Sequence, residues 1–188
     1  MADNSPWMPR KAFFVKGNGK HSEKLTSFEM ALRDAGIEKF NLVRVSSIYP
    51  PGCRLVSREE GLKDLSPGQL VFCVMSDSSS NEPNRLVAAA IGAAIPEDNT
   101  AYGYLSEHHS FGQNEQQAGD YAEDLAAVML ASTRGITLDI GKDYDEQKDI
   151  FVIGGKHVKT RNITQSAVCD KNGLWTTAVA AAVFICGP

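Results

Sequence analysis

Residues 174–185 of the 188-residue chain have the sequence LWTTAVAAAVFI, which is apolar at both odd and even positions over most of its length. Successive side chains of a β-strand point to opposite sides of the sheet, so a strand of this kind buries both of its faces. This segment therefore predicts a central strand with packed structure on each side. The remainder of the chain must supply those two layers.

Further strands are predicted from β-branched, aromatic or small apolar runs bounded by turn residues. They cover residues 11–16, 41–48, 69–76, 86–95, 100–107 and 150–158, the last interrupted by Gly154 and Gly155. Residues 17–19 (GNG) predict a turn after the first strand. The polar residues 159–172 carry no clear strand or helix pattern.

Two long helices are predicted from apolar residues that recur at helical spacing. The first covers residues 22–35, with Ser22 as N-cap and Gly36 as a left-handed stop, and the second covers residues 115–133 and ends near Gly135. Strands and helices do not alternate strictly, which favours an α+β fold. We expect a single domain over residues 1–188, an αββα-type sandwich of largely antiparallel sheets covered by helices, with residues 1–10 loosely attached.

Composition and charge exclude several classes of protein. Lys and Arg total 19 against 23 Asp and Glu, for a net charge of −4. A protein that binds the nucleic-acid backbone is more basic, so no nucleic-acid partner is expected. Apolar runs stay well short of the roughly 20 residues that cross a bilayer, and the N-terminus lacks the apolar core of a signal peptide. We expect a cytoplasmic protein that does not bind membranes.

Cysteine and histidine spacing predicts no metal site. The four cysteines are scattered and form no CxxC pair, so they are expected to be reduced thiols packed as small apolar side chains. His108 and His109 are neighbours, and in an extended segment their side chains point to opposite faces.

Residues 41–51 (NLVRVSSIYPP) place Ser46 and Ser47 at the end of a predicted strand, just before two prolines. A serine pair at a strand end more often satisfies nearby backbone groups than carries chemistry. The pair by itself is therefore a weak indication of function.

In its wider arrangement the chain resembles the pyruvoyl-dependent arginine decarboxylases over roughly residues 13–185. The most specific parts of the resemblance are FEMALRDAGI at residues 28–37, NLVRVSSIYPP at 41–51 and AYGYLSE at 101–107. In this family the peptide bond between two such serines breaks spontaneously, and the second serine becomes a pyruvoyl group. The resemblance implies cleavage between Ser46 and Ser47, which gives a β chain of residues 1–46 and an α chain of residues 47–188.

The implied cleavage has a chemical requirement that can be stated for these residues. The Ser47 hydroxyl attacks the Ser46 carbonyl carbon within a strained turn and converts the amide to an ester, which needs a general base and an oxyanion donor. Asn41 matches the family asparagine that assists processing, and its amide is a suitable donor. Alternatively, Asn41 is a turn residue that opens the strand.

The pyruvoyl ketone then forms a Schiff base with the substrate amine, and carbon dioxide leaves without pyridoxal phosphate. Glu107 stands at the position of the family's proton donor. A carboxyl group in that role must be protonated near neutral pH, which requires apolar surroundings to which Tyr102, Tyr104 and Leu105 are expected to contribute. The alternative is a solvated glutamate at a strand end beside His108.

Glu29 on the first helix is the residue matched to recognition of the substrate guanidinium, which pairs best with a carboxylate. Known members of the family often carry aspartate there, so the longer side chain leaves the preferred substrate open. Taken alone, a glutamate such as Glu29 is more often a surface residue near a helix start, favoured there by the helix macrodipole.

The resemblance implies an enzyme that converts L-arginine to agmatine and carbon dioxide, feeds polyamine synthesis, and assembles as a homotrimer or a dimer of trimers with active sites between protomers. Two alternatives stay open at this point. One is a pyruvoyl-dependent decarboxylase of another amino acid, and the other is a non-catalytic oligomeric module that keeps the fold.

Overall fold

The computed structural model describes residues 5–140, 144–145 and 150–187. In chain order the elements are β1 (Pro9–His21), α1 (Lys24–Ala35), β2 (Asn41–Arg44), β3 (Ile48–Tyr49), β4 (Arg54–Leu55), α2 (Arg58–Lys63), β5 (Leu70–Ser80), β6 (Leu86–Pro96), β7 (Gly103–Phe111), α3 (Glu115–Ser132), β8 (Tyr144–Asp145), β9 (Ile150–Ile153), β10 (Lys156–Val168) and β11 (Trp175–Cys186). No helix of this part of the chain has both the length and the apolar character needed to cross a membrane.

The strands form two sheets. The first has the order β2-β5-β11-β1-β4 and the second the order β3-β7-β6-β10-β9-β8. Pairing in the second sheet is antiparallel throughout, whereas in the first sheet β2 runs parallel to β5 and β4 runs parallel to β1. The expectation of largely antiparallel sheets is confirmed.

The two sheets pack face to face, and helices cover their outer faces. The inner core joins residues of both sheets, among them Val74 and Ala180 from the first and Ile91 and Leu105 from the second. Helix α1 packs on the outer face of the first sheet and α3 on the outer face of the second. This is the predicted αββα sandwich of the α+β class.

Strand β11 buries both faces, as its sequence predicts. Ala178, Ala180, Ala182 and Phe184 face the other sheet, while Val179, Ala181 and Val183 lie in the core beneath α1. The strand is paired on both sides, with β1 and with β5. Its uniform apolar character therefore follows from its place at the centre of the molecule.

The turn predicted at residues 17–19 is wrong, because these residues continue β1 as far as His21. A Cβ atom on Gly17 would collide with the Ala31 carbonyl of α1, and a Cβ on Gly19 would collide with the Ser27 carbonyl. The two glycines therefore let a helix lie directly against the strand. Close approach of another backbone, like a turn or bend, is a common reason for glycine at such a position.

Helix boundaries agree with the prediction apart from one cap and one short helix. Gly36 ends α1 with a left-handed φ of 79°, but Glu23 occupies the N-cap without a side-chain cap bond, so Ser22 is not the cap. Helix α3 begins at the cap residue Asn114, which forms a capping box with Gln117. The six-residue α2 was not predicted.

Two other segments differ from expectation. Most of the polar segment 159–172 belongs to β10, which pairs with β6 over 11 registered positions. Backbone hydrogen bonds to β6 hold this strand. Every residue type except proline can form them, so they require no apolar pattern from which the strand could be predicted. Pro9 and Arg10 belong to β1, so the first strand begins two residues before its predicted start at Lys11, and the Cys186 thiol donates to the Trp7 carbonyl at 3.4 Å. Residues 1–4 lie outside the described residues.

Candidate active site

The chain passes from one sheet to the other at residues 45–47. Strand β2 is an edge of the first sheet and β3 is an edge of the second, so the single strand predicted at residues 41–48 is divided. The Val45 N–H donates to the Cys73 carbonyl at 2.9 Å, and the Ser47 carbonyl accepts from the Leu105 N–H at 2.7 Å. The Ser46–Ser47 peptide bond is thus held from both sheets.

Ser47 is the central residue of a three-residue turn. The Ile48 N–H donates to the Ser46 carbonyl oxygen at 3.0 Å, which closes the turn. Asn84 is the one non-glycine residue with positive φ among the described residues, so the turn at Ser47 is of the inverse type common at strand ends. The strain expected in this turn therefore does not arise from a left-handed φ at Ser47. The Ile48 N–H thus lies on the carbonyl that the Ser47 hydroxyl would attack in the predicted cleavage.

Glu107 lies on β7, two residues beyond Leu105. Side chains two residues apart share one face of a strand, so Glu107 lies on the same face as Leu105, which belongs to the inner core. His108 has the opposite orientation, and its ring lies 4.5 Å from that of Tyr121 on α3. The structure thus brings Glu107 and Ser47 to the same edge of the second sheet.

The apolar surroundings expected for Glu107 are not formed within one chain. Glu107 is exposed at the edge of the sheet, and Tyr102 is 42% exposed. Tyr104 packs toward α3, on the other face of β7. Of the three residues proposed to shield the carboxyl group, Leu105 alone lies buried on its face of the strand.

Arg44 ends β2, two residues before Ser46. Its guanidinium donates to the Asp77 carboxylate at 2.7 Å and contacts the Met75 sulfur at 3.5 Å. Burial raises the pKa of the nearby Cys73 thiol to about 11, Arg44 opposes this rise and Glu107 adds to it. Arg44 and Glu107 therefore lie within electrostatic range of the same buried thiol, close to the sheet crossing.

Asn41 lies at the opposite end of β2 from the serine pair. Its side-chain amide donates to the Gly68 carbonyl at 2.7 Å, and its backbone N–H donates to the Gln69 carbonyl at 2.9 Å. The five residue-to-residue steps from Asn41 to Ser46 span roughly 16 Å when extended. Within one chain Asn41 therefore opens the strand, and the donor on the Ser46 carbonyl is the Ile48 N–H.

Glu29 lies on the surface of α1. Its carboxylate accepts from the Arg33 guanidinium at 2.6 Å, one helical turn further on. The helix packs against the outer face of the first sheet, whereas Ser47 and Glu107 lie at the edge of the second sheet. The predicted site residues thus form two groups, with Ser46, Ser47 and Glu107 in one and Asn41 and Glu29 apart from them.

Three cavities surround the β2 edge. One of about 510 Å³ lies beside Ser46 and has apolar walls that include Val45, Ile48 and Phe72. Two others, of about 410 and 400 Å³, lie under α1 and share Phe28 and Arg44 as lining residues. The charged side chains Lys24, Arg44 and Asp77 line the first of these two cavities.

Sequence reasoning missed both backbone donors, the Ile48 and Leu105 N–H groups. No side chain marks a backbone donor, so neither contact has a sequence signature. It also passed over the Arg44–Asp77 pair, for which the signal was present, since a charged residue inside a β-branched strand next to the serine pair is unusual.

Comparison with known proteins supplies the family. The sequence model of the pyruvoyl-dependent arginine decarboxylase (PvlArgDC) family matches residues 11–187. A "probable pyruvoyl-dependent arginine decarboxylase" of Chloroherpeton thalassium is 59% identical over 179 residues, which cover 95% of this chain and 98% of that protein. The "pyruvoyl-dependent arginine decarboxylase" of Methanococcoides burtonii is 56% identical over 178 residues, which cover 95% and 99%. With the serine pair at the sheet crossing, this similarity means that the chain belongs to the pyruvoyl-dependent arginine decarboxylase family.

Proposed function

We propose that this protein is a pyruvoyl-dependent arginine decarboxylase, a carbon–carbon lyase that converts L-arginine to agmatine and carbon dioxide and feeds polyamine synthesis. One observation carries the proposal. The family's serine pair lies where the chain crosses between sheets, and the strand that binds the Ser47 carbonyl also carries Glu107. A cytoplasmic location fits the four unpaired thiols of the chain, since reduced cysteines are typical of reducing compartments.

Self-processing uses atoms that the crossing already holds together. The Ser47 hydroxyl attacks the Ser46 carbonyl carbon, and the Ile48 N–H stabilises the charge that develops on the carbonyl oxygen. The resulting ester loses the Ser46 carboxylate by elimination across residue 47. The unsaturated residue then takes up water and releases ammonia, which leaves a ketone at the new N-terminus. The products are chains of 46 and 142 residues.

Each remaining residue has one assigned role. When formed, the pyruvoyl group supplies a ketone for the substrate amine and an adjoining carbonyl that accepts electrons. Glu107 donates the proton to the carbon that has lost carbon dioxide. Glu29 binds the guanidinium, and Asn41 assists processing in a neighbouring chain.

The assembly is a homotrimer or a dimer of trimers with active sites between protomers. Apolar side chains are exposed around the crossing at Val43 on the edge strand β2, at Val45 between the two strands, and at Ile48 on the edge strand β3. A neighbouring subunit that covers this edge would bury Glu107 in apolar surroundings. It would also bring a second copy of α1 and Asn41 to the serine pair.

The test is an intact mass of the purified protein together with carbon dioxide release from L-arginine, lysine, ornithine, histidine and aspartate. We expect two fragments, a ketone on the larger one, and fastest release from arginine. Faster release from another amino acid assigns a different substrate. An uncleaved chain without a ketone after prolonged incubation means a non-catalytic module.

A further inference from the structure

The hydrogen bond between the Leu105 N–H and the Ser47 carbonyl is short, at 2.7 Å against the usual 2.9–3.0 Å for N–H···O bonds. It continues the antiparallel pairing of β3 with β7, in which Ile48 faces Tyr104. Leu105 is fully buried, and β7 is paired along its length with β6. The donor is therefore fixed by the sheet.

This carbonyl survives processing. Cleavage breaks the bond on the N-terminal side of residue 47, while the carbonyl carbon of residue 47 stays bonded to the Ile48 nitrogen. After processing, the residue 47 carbonyl lies next to the new ketone. This amide carbonyl takes up electron density when carbon dioxide leaves. The Ile48 N–H, by contrast, bonds the Ser46 carbonyl, which becomes a free carboxylate.

We propose that the Leu105 backbone N–H is a catalytic group of the mature enzyme, which stabilises negative charge on the residue 47 carbonyl oxygen during decarboxylation. A fixed donor aimed at an oxygen where charge develops lowers the barrier, because it needs no reorganisation as the charge forms. The electron pair of the broken carbon–carbon bond is held partly on this oxygen until the carbon takes up its proton. The inference rests on the proposed function.

The test replaces Leu105 by its α-hydroxy acid, leucic acid, which exchanges the N–H for an oxygen and keeps the side chain. We expect normal cleavage and ketone formation, since the Ser46 carbonyl has a different donor. The kcat for arginine should fall about 100-fold, as when one oxyanion donor is removed, while KM changes much less. The matched control is the same exchange at Val56, whose N–H donates to the Ala12 carbonyl at 2.8 Å.

A second readout does not depend on activity. Ser47-Ile48 is the one Ser–Ile pair in the sequence, so labelling serine at the carbonyl carbon and isoleucine at nitrogen gives a single NMR correlation for the residue 47 carbonyl. We expect this carbonyl resonance to move upfield in the cleaved Leu105 variant, because the hydrogen bond is lost. It should not move in the Val56 variant.

Two results would overturn the inference. One is an unmoved residue 47 carbonyl resonance in the cleaved Leu105 variant, and the other is a moved resonance in a Leu105 variant whose kcat equals that of the Val56 variant. If the Leu105 variant does not fold or cleave, the proposal is tested by hydrogen exchange of the Leu105 amide in proteins that keep it. The Leu105 amide should be as protected in cleaved wild type as in uncleaved Ser47→Ala, and fast exchange in the cleaved form alone rejects the proposal. A wild type that never cleaves rejects the proposed function instead.

Discussion

Ser46 and Ser47 are neighbours of the same type, yet they contribute different atoms to the proposed cleavage. Ser47 supplies the attacking hydroxyl, whereas Ser46 supplies its backbone carbonyl, which accepts from the Ile48 N–H. Side-chain substitutions therefore affect the two positions differently.

We expect Ser47→Ala to remain a single chain of 188 residues, because without the hydroxyl no ester forms. Ser46→Ala is the matched control and should still cleave, since alanine keeps the carbonyl. Intact mass after equal incubation distinguishes the variants. Cleavage of Ser47→Ala at this bond would show that the serine mechanism is wrong.

Glu107→Gln should cleave normally but turn over poorly. Glutamine keeps the size and hydrogen bonding of the side chain and cannot deliver the proton, so kcat should fall by roughly 10²–10⁴-fold. Mass spectrometry checks processing, and carbon dioxide release checks turnover. The control is Glu82→Gln, which removes a surface ion pair with Arg85 and should have little effect. Near-native kcat for processed Glu107→Gln would remove Glu107 from the mechanism.

Glu29→Ala should raise KM for arginine more than tenfold and leave KM for the uncharged analogue citrulline nearly unchanged. Breaking one side of a desolvated charge pair commonly costs about 2–5 kcal/mol. Glu29→Asp should retain arginine turnover. Arg33→Ala should lower KM, because Arg33 competes for the same carboxylate. Equal effects of Glu29→Ala on both compounds would mean that Glu29 does not bind the guanidinium.

At the scale of elements, the position of α1 depends on two glycines in the strand beneath it. Gly17 and Gly19 contact the backbone of α1 with no room for a Cβ. Because α1 carries Glu29, the close packing of helix and strand also sets where that carboxylate lies.

Gly19→Ala should therefore lower the free energy of unfolding by about 1–3 kcal/mol, the usual cost of overpacking. The new methyl group would have to displace helix backbone at Ser27 and Ala31, which cannot rotate away. Urea unfolding measures the loss. Gly187→Ala is the control, because a Cβ there meets nothing within 4 Å. Equal stability of the two variants would contradict the packing argument.

At the scale of the whole molecule, the site residues form two groups on separate parts of one chain. Ser47 and Glu107 lie at the edge of the second sheet, whereas Glu29 lies on the helix that covers the first. In the proposed trimer, a ring of identical subunits joined by heterologous contacts would bring the two groups together at each interface.

This arrangement predicts complementation between Ser47→Ala, which should be inactive, and Glu29→Ala, which should turn over arginine slowly when its concentration is well below KM. Ser47→Ala lacks the ketone and keeps Glu29, whereas Glu29→Ala forms the ketone and lacks the carboxylate. Co-expressed in equal amounts, they should regain activity at about one interface in four by random pairing. The measurement is carbon dioxide release by the co-purified mixture, with each variant alone as control. A mixture no more active than the sum of its components would place each site within one chain.

The sequence by itself determined the layers and the family. The uniform apolar character of β11, the helical spacing of α1 and α3, and the Ser46-Ser47 pair with its prolines are local patterns, since burial and backbone propensity act on neighbouring residues. They were sufficient for an α+β sandwich and, through the resemblance to the family, for a predicted cleavage position.

Only the tertiary structure decided how the serine pair is held. The donor to the Ser47 carbonyl lies 58 positions away in the chain, at Leu105, and a backbone N–H has the same chemistry in every residue except proline. Strand β10 was not predicted for the same reason, since backbone pairing with β6 holds it. Gly17 and Gly19 were predicted as a turn because the helix α1 that packs against them lies outside their local sequence. Contacts between distant backbone segments leave no pattern in the residues that make them.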